Sequence, residues 1–159
     1  MSGATLMSQV RAVAAMCRRE AGRITVAESC TGGGLAAALT SLAGSSAWFD
    51  RGFVTYSNEA KEDLLGVSAS TLKRFGAVSE EVARAMARGA LEESRATLAV
   101  AVTGIAGPGG ATPGKPVGLV WIAWARKGEV RARRFQFKGG RAAVRRQAVA
   151  AALEGLTRE

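Results

Sequence analysis

Short β-type runs alternate with helical stretches along this chain, and that alternation is the strongest constraint on its fold. The runs 23–28 (R-I-T-V-A-E), 49–57 and 97–102 are strand-length and rich in β-branched, aromatic or other apolar residues. Residues 5–21 predict an amphipathic helix with Leu6, Val10, Val13 and Cys17 on one face. Residues 29–34 form a glycine-rich turn that leads into a helix over 35–42. A short helix over 58–65 is stopped by Gly66, a residue type that suits the position just past a helix end. Ser68 or Ser70 opens the next helix, which ends near Gly76. Ser79 is a good N-cap, and Glu80 and Glu81 suit the positive end of a helix running to about 94. Beyond a glycine-proline loop at 104–116, runs 117–125 and 130–137 read as a hairpin turning at Lys127-Gly128, and 141–156 is the last helix. Strands that alternate with helices and then close with a hairpin predict a three-layer α/β/α sandwich with a mixed, mostly parallel central sheet.

The 159 residues suit one domain, 1–159, and there is no repeat, linker or low-complexity run. The longest apolar-plus-glycine stretch, 117–125, is far short of the roughly 20 residues of a membrane span. Residues 1–20 lack a basic region followed by an apolar one, so cytoplasmic residence is expected. The absence of histidine excludes a Ser-His-Asp triad, a Cys-His pair and a histidine metal site. With only Cys17 and Cys30, neither a multi-disulfide framework nor an all-cysteine zinc site can be built within one chain.

The net charge of +9 is concentrated in residues 126–146, which hold nine basic side chains and one acid, Glu129. Such a cluster attracts phosphate, from a nucleic-acid backbone or from a small molecule. A solvated hairpin and helix face explains it equally well. No nucleic-acid recognition motif accompanies it, and only Phe135 and Phe137 interleave with the charge. No specific nucleic-acid partner is therefore expected.

Two glycine-rich turns follow two buried strands. The first, Ala27-Glu28-Ser29-Cys30-Thr31-Gly32-Gly33-Gly34, joins strand to helix, the place where ligands bind in open α/β sheets. Ser29 stands where a nucleophile would; from the turn alone, a hydroxyl capping the helix is the commoner outcome. The second, Thr103-Gly104-Ile105-Ala106-Gly107-Pro108-Gly109-Gly110, matches neither the Walker A pattern nor the dinucleotide fingerprint. It reads as a shaped backbone surface or as a plain loop, with the Thr103 hydroxyl at the strand end. Without histidine, a serine nucleophile needs Lys, Tyr, Asp or Glu as its base. Of the five lysines, Lys61 alone stands just past a strand on a short helix. Its neighbours Glu59 and Glu62 equally fit an exposed helix lysine, and Tyr56 could be a core aromatic. Glu28 either orients Lys61 or simply ends its strand.

Five runs occur in order: 27–33 (A-E-S-C-T-G-G), 54–61 (V-T-Y-S-N-E-A-K), 76–79 (G-A-V-S), 102–110 (V-T-G-I-A-G-P-G-G) and 115–118 (K-P-V-G). Together they resemble the nicotinamide-nucleotide amidase family, which is also the C-terminal domain of the CinA competence-damage-inducible proteins. The likeness covers about residues 6–156, and the chain's length resembles the stand-alone form. It departs from the usual pattern at Leu119, where members often have Thr. The resemblance implies hydrolysis of the carboxamide of nicotinamide mononucleotide, with no metal and no organic cofactor. It implies Ser29 as nucleophile, Lys61 as general base, and Tyr56 and Thr103 in support. Thr31, Gly32, Gly33, Asn58, Gly104, Gly107, Arg141 and Arg145 would hold the substrate. In this reading the helix start at Gly32–Gly34 offers backbone donors, while the two arginines, sharing a helix face, suit a phosphate. The resemblance also implies a homodimer. The alternative is a non-catalytic nucleotide-binding module, which would use the same turns and arginines without an activated Lys61.

Overall fold

The structure is a computed structural model describing residues 3–158; the part of the N-terminal reading that falls on residues 1 and 2 lies outside the described residues. In chain order the elements are α1 (Gly3–Glu20), β1 (Ile24–Glu28), α2 (Gly34–Thr40), a 3-10 turn at Ser45–Ala47, β2 (Phe49–Val54), α3 (Asn58–Leu65), α4 (Ala69–Phe75), α5 (Glu80–Glu92), β3 (Leu98–Gly104), β4 (Leu119–Arg126), β5 (Glu129–Gln136) and α6 (Arg141–Thr157). The sheet order is β2-β1-β3-β4-β5. β1 pairs in parallel with β2 and β3, and β4 pairs antiparallel with β3 and β5. The expected three-layer sandwich with a mixed sheet is the observed architecture.

Where boundaries differ from the sequence reading, tertiary hydrogen bonds decide. The strand expected over 49–57 ends at Val54, because Ser57 turns to cap α3, its Oγ accepting from the Ala60 N–H at 3.0 Å. β3 runs on to Gly104, because β4 pairs with its end, Thr103 opposite Trp121 and Gly104 opposite Val120. Ser68, not Ser70, caps α4, accepting from the Thr71 N–H at 3.1 Å. The 3-10 turn at Ser45–Ala47 falls between the expected helix 35–42 and strand 49–57.

Each face of the sheet buries its own core. Ile24, Val26, Val100, Val102, Val120, Ile122 and Trp124 pack with α1, α2 and α6 through Val10, Val13, Leu35, Leu39, Val144 and Leu153. The opposite face presents Ala27, Ala99, Ala101, Ala123 and Ala125 to Val82, Ala83, Met86, Ala87 and Ala90 of α5, with Leu65 of α3 and Leu72 of α4 beside them. Small residues on both sides let α5 lie close to the sheet, since the separation follows the size of the side chains at the contact.

The same closeness holds α3 in place. A Cβ at Gly89 of α5 would fall inside the Leu65 carbonyl at the end of α3, where no side chain can yield. Gly89→Ala is therefore expected to destabilise the fold by roughly 1–3 kcal/mol, the usual range for overpacking. A lower denaturant midpoint at unchanged m-value is the observable, and an unchanged midpoint would refute this packing account.

Candidate active site

Register brings three strand ends to one level. Glu28 of β1 pairs with Val54 of β2 and with Val102 of β3, so Ser29, Thr55 and Thr103 follow at the same edge of the sheet. The ladder continues one step beyond: the Ser29 N–H donates to Val102 O at 2.9 Å, and the Thr55 N–H to Glu28 O at 2.8 Å. Side-chain alternation then separates neighbours. Glu28 shares the parity of Ile24 and Val26 and points under α2, while Ser29 reaches the α3 side.

On that side lies Lys61, only 1% exposed despite its acidic sequence neighbours. Its Nζ lies 3.1 Å from Ser29 Oγ, 3.0 Å from Thr55 O and 3.1 Å from Tyr56 O, with Ser57 O at 3.5 Å. A neutral amine has two N–H donors and one lone pair. Thr55 O and Tyr56 O can take the two donors, leaving the lone pair to accept from the Ser29 hydroxyl. Burial pushes the Lys61 pKa down from its ordinary 10.5, opposed by the negative charge of Glu59. Cys30, beside Ser29, behaves oppositely: burial pushes its thiol up to about 11, which keeps it a neutral thiol rather than a competing nucleophile.

A cleft of about 300 Å³ opens onto Ser29 and Lys61. Tyr56, Asn58, Thr103, Gly104, Gly107 and Arg141 line it, as do Cys30, Ala77 and Val78, which the sequence reading did not single out. Thr31, Gly32, Gly33 and Arg145 are not among its lining residues. Tyr56, 59% exposed as a residue, meets Lys61 through its carbonyl, whereas its phenol accepts from Arg141 at 3.1 Å. Arg141 also donates to Gly107 O at 2.8 Å, tying α6 to the glycine-proline loop. The Thr103 hydroxyl donates to Ala77 O at 2.9 Å, fastening the segment before α5 to the cleft floor.

The start of α2 differs from the open anion site suggested by its glycines. The Glu28 carboxylate accepts the Leu35 N–H at 2.8 Å and the Ala36 N–H at 2.9 Å, so a side chain of the protein itself fills that helix end. Glu28 thus neither contacts Lys61 nor merely ends a strand, and Ser29 is not the cap of α2. Gly32 and Gly33 adopt φ of +56° and +103°, a region open to glycine at little cost. A larger cavity, about 500 Å³, lies at the opposite sheet edge; there Arg126 pairs with Glu20 at 2.9 Å, and Arg131 stacks on Trp124 and donates to carbonyls of α6 and Arg158. Among the described residues, no group of three or more His, Cys, Asp or Glu side chains is placed to hold a metal, and no helix is long and apolar enough to cross a membrane.

Comparison with known proteins gives the chain its family. The CinA C-terminal domain model matches residues 7–159. A protein of Escherichia coli K12 named nicotinamide-nucleotide amidohydrolase PncC is 52% identical over 157 residues, covering 98% of this chain and 95% of its own. A protein of the same name from Pseudomonas putida is 56% identical over 139 residues, covering 87% of each chain. The crystal structure of the competence/damage inducible protein CihA from Agrobacterium tumefaciens superposes with a TM-score of 0.94 at 50% identity, covering 98% of this chain and 95% of its own. The chain belongs to the CinA C-terminal domain family.

Proposed function

We propose that this protein hydrolyses the carboxamide of nicotinamide mononucleotide to nicotinate mononucleotide and ammonia, with Ser29 as nucleophile and Lys61 as general base. The reading is carried by the buried 3.1 Å contact between Lys61 Nζ and Ser29 Oγ at the floor of a cleft, in a chain with no histidine. It is supported by the name of the relatives that match nearly the whole chain.

Neutral Lys61 takes the Ser29 proton as Oγ bonds to the carboxamide carbon. The carbonyl oxygen becomes an oxyanion, which needs fixed donors. Most N–H groups of the turn are engaged: Ser29 with Val102 O, Gly32 with Ser29 O, Gly34 with Thr31 O, and Leu35 and Ala36 with Glu28. Among the described residues no backbone carbonyl takes the N–H of Cys30, which lines the cleft, and this group is the oxyanion donor in our reading. The proton held by Lys61 then passes to the nitrogen, the C–N bond breaks, and ammonia leaves. Water attacks the ester, gives its proton to Lys61 and releases the acid, and Lys61 returns the proton to Ser29. Thr103 and the Tyr56 carbonyl position this centre, the backbone at Gly104 and Gly107 walls the cleft, and Asn58 and Arg141 meet the ribose phosphate at its mouth. Cytoplasmic residence and a homodimer belong to the same proposal. The exposed Val54, Tyr56 and Leu64 offer apolar surface for a second copy, and sedimentation of the intact protein tests the dimer.

The direct test is incubation with nicotinamide mononucleotide and measurement of both products. Binding without ammonia release would instead favour a nucleotide-binding module. The pH profile supplies a further prediction. Catalysis needs Lys61 uncharged and its pKa is pushed down, so kcat/KM should rise with pH along an acid limb whose midpoint lies below 10.5. A profile flat throughout the region below that value would exclude Lys61 as the base. The linked stability has the same sign. Between the lowered folded value and the unfolded one, only the unfolded chain keeps the proton, so the Lys61 contribution to stability rises with pH across that window and is least favourable below it.

A further inference from the structure

Two charged residues hold the turn that carries Ser29, one from each side, and the mechanism above uses neither. Arg145 of α6 donates from Nε to Cys30 O at 3.2 Å and from Nη2 to Thr31 O at 3.2 Å. It also lies 3.3 Å from where a Cβ of Gly32 would stand, so α6 is seated directly on the turn. The fully buried Glu28 holds the other end through the Leu35 and Ala36 N–H groups. A guanidinium fork across two successive carbonyls fixes two peptide planes, because each peptide unit is rigid. The plane containing Cys30 O also contains the Thr31 N–H, directed away from that oxygen. Holding the carbonyl therefore fixes the peptide that follows Cys30. The neighbouring plane is set in the same way: Ser29 O accepts the Gly32 N–H at 3.0 Å, which directs the Cys30 N–H away from it.

We infer that Arg145 and Glu28 are positioning residues that clamp the Ser29–Gly34 turn and so hold Ser29 and the Cys30 N–H in place, and that Arg145 therefore does not serve as the phosphate ligand. The inference rests on the amidase reading for its kinetic consequences, but the clamp itself can be tested without turnover. It divides two arginines that the sequence presents as equivalent. Arg141 lines the cleft and faces its mouth through the Tyr56 phenol, whereas Arg145 lies behind the turn with its fork on backbone oxygens.

The experiment compares Arg145→Gln, Arg141→Gln and Glu28→Gln on nicotinamide mononucleotide and on the riboside that lacks its phosphate. For Arg145→Gln, kcat should fall by about 10- to 100-fold on both substrates, as expected for a displaced catalytic geometry, with KM within roughly threefold and the preference for the phosphorylated substrate unchanged. Arg141→Gln should instead raise KM for the phosphorylated substrate and erode that preference. Glu28→Gln should reproduce the Arg145→Gln signature, because a carboxamide offers one acceptor oxygen where two N–H groups need two. The double variant should lose less than the product of the single losses, since both act on one turn. A loss of phosphate preference in Arg145→Gln with kcat intact would overturn the inference.

Amide hydrogen exchange separates this failure from failure of the amidase reading. Peptides spanning 29–36 should exchange at least about tenfold faster in Arg145→Gln, while those of β3 and α5 stay protected. Unchanged exchange in the turn would overturn the clamp whatever the ammonia assay gives. Faster exchange in a protein that releases no ammonia would leave the clamp standing and remove the amidase. If Glu28→Gln fails to fold, the Arg145 variants carry the test, with Arg145→Lys, a single point donor, expected to be intermediate.

Discussion

Ser29→Ala is expected to lower ammonia release from nicotinamide mononucleotide by roughly 10³-fold or more while the protein remains folded. The side chain is small, and its removal leaves Lys61 with Thr55 O and Tyr56 O as partners, so little of the interior is disturbed. The backbone of the turn keeps the Ser29 N–H bond to Val102 O, and Glu28 and Arg145 still hold its two ends. Affinity for the substrate should change little, because Ser29 gains its main interaction only as the new bond forms. Product release by single turnover, with binding followed by calorimetry, makes the check. Near-normal turnover in a folded Ser29→Ala protein would remove the covalent mechanism.

The second large effect is expected at Lys61. Lys61→Met should lower turnover by a comparable factor, and the Ser29→Ala/Lys61→Met double variant should fall little further, because nucleophile and base act as one unit. Lys61→Arg separates charge from basicity. An arginine keeps a positive charge near Ser29 but does not give up its proton in the working range, so it cannot take the hydroxyl proton. It should be as inactive as Lys61→Met, and residual activity in Lys61→Met should lack the acid limb of the parent protein. An active Lys61→Arg protein would show that positive charge, not proton transfer, is what this position supplies. Circular dichroism and thermal unfolding are needed beside the rates, since removing the amine takes away the buried donor to the Thr55 carbonyl and leaves the Tyr56 carbonyl only the Ser29 hydroxyl at 3.5 Å.

The sequence already carries the signals for much of the architecture. The β-type runs, the Ser79 cap and the Lys127-Gly128 turn are local, and local sterics and hydrogen bonding largely decide them. α3 appears over the residues expected for it, 58–65. The end of β2 was less legible, because Thr55 and Tyr56 leave the strand with their carbonyls turned to an amine farther along the chain. The candidate nucleophile could be located as a turn residue, whereas its partner Lys61 was named by the family resemblance and not by its local surroundings. In sequence, Lys61 sits among acids and looks solvated, and only the packing of α3 against α5 and the sheet makes it buried.

The arginines of α6 give the sharpest contrast. Four residues apart on one helix, Arg141 and Arg145 are interchangeable by composition and spacing. One reaches the cleft and the other the back of the Ser29 turn, because successive turns of α6 meet different loops, the glycine-proline loop at Gly107 and the turn at Cys30. The glycines at the start of α2 likewise announce a close backbone approach without revealing that Glu28 fills the helix end. What the residues determined alone were the elements, their order and a chemistry without histidine, all set by short-range propensity and composition. Which side chains share a buried space was settled only when distant strand ends came level in one sheet, since burial and hydrogen-bond partnership are properties of contacts far apart in the chain.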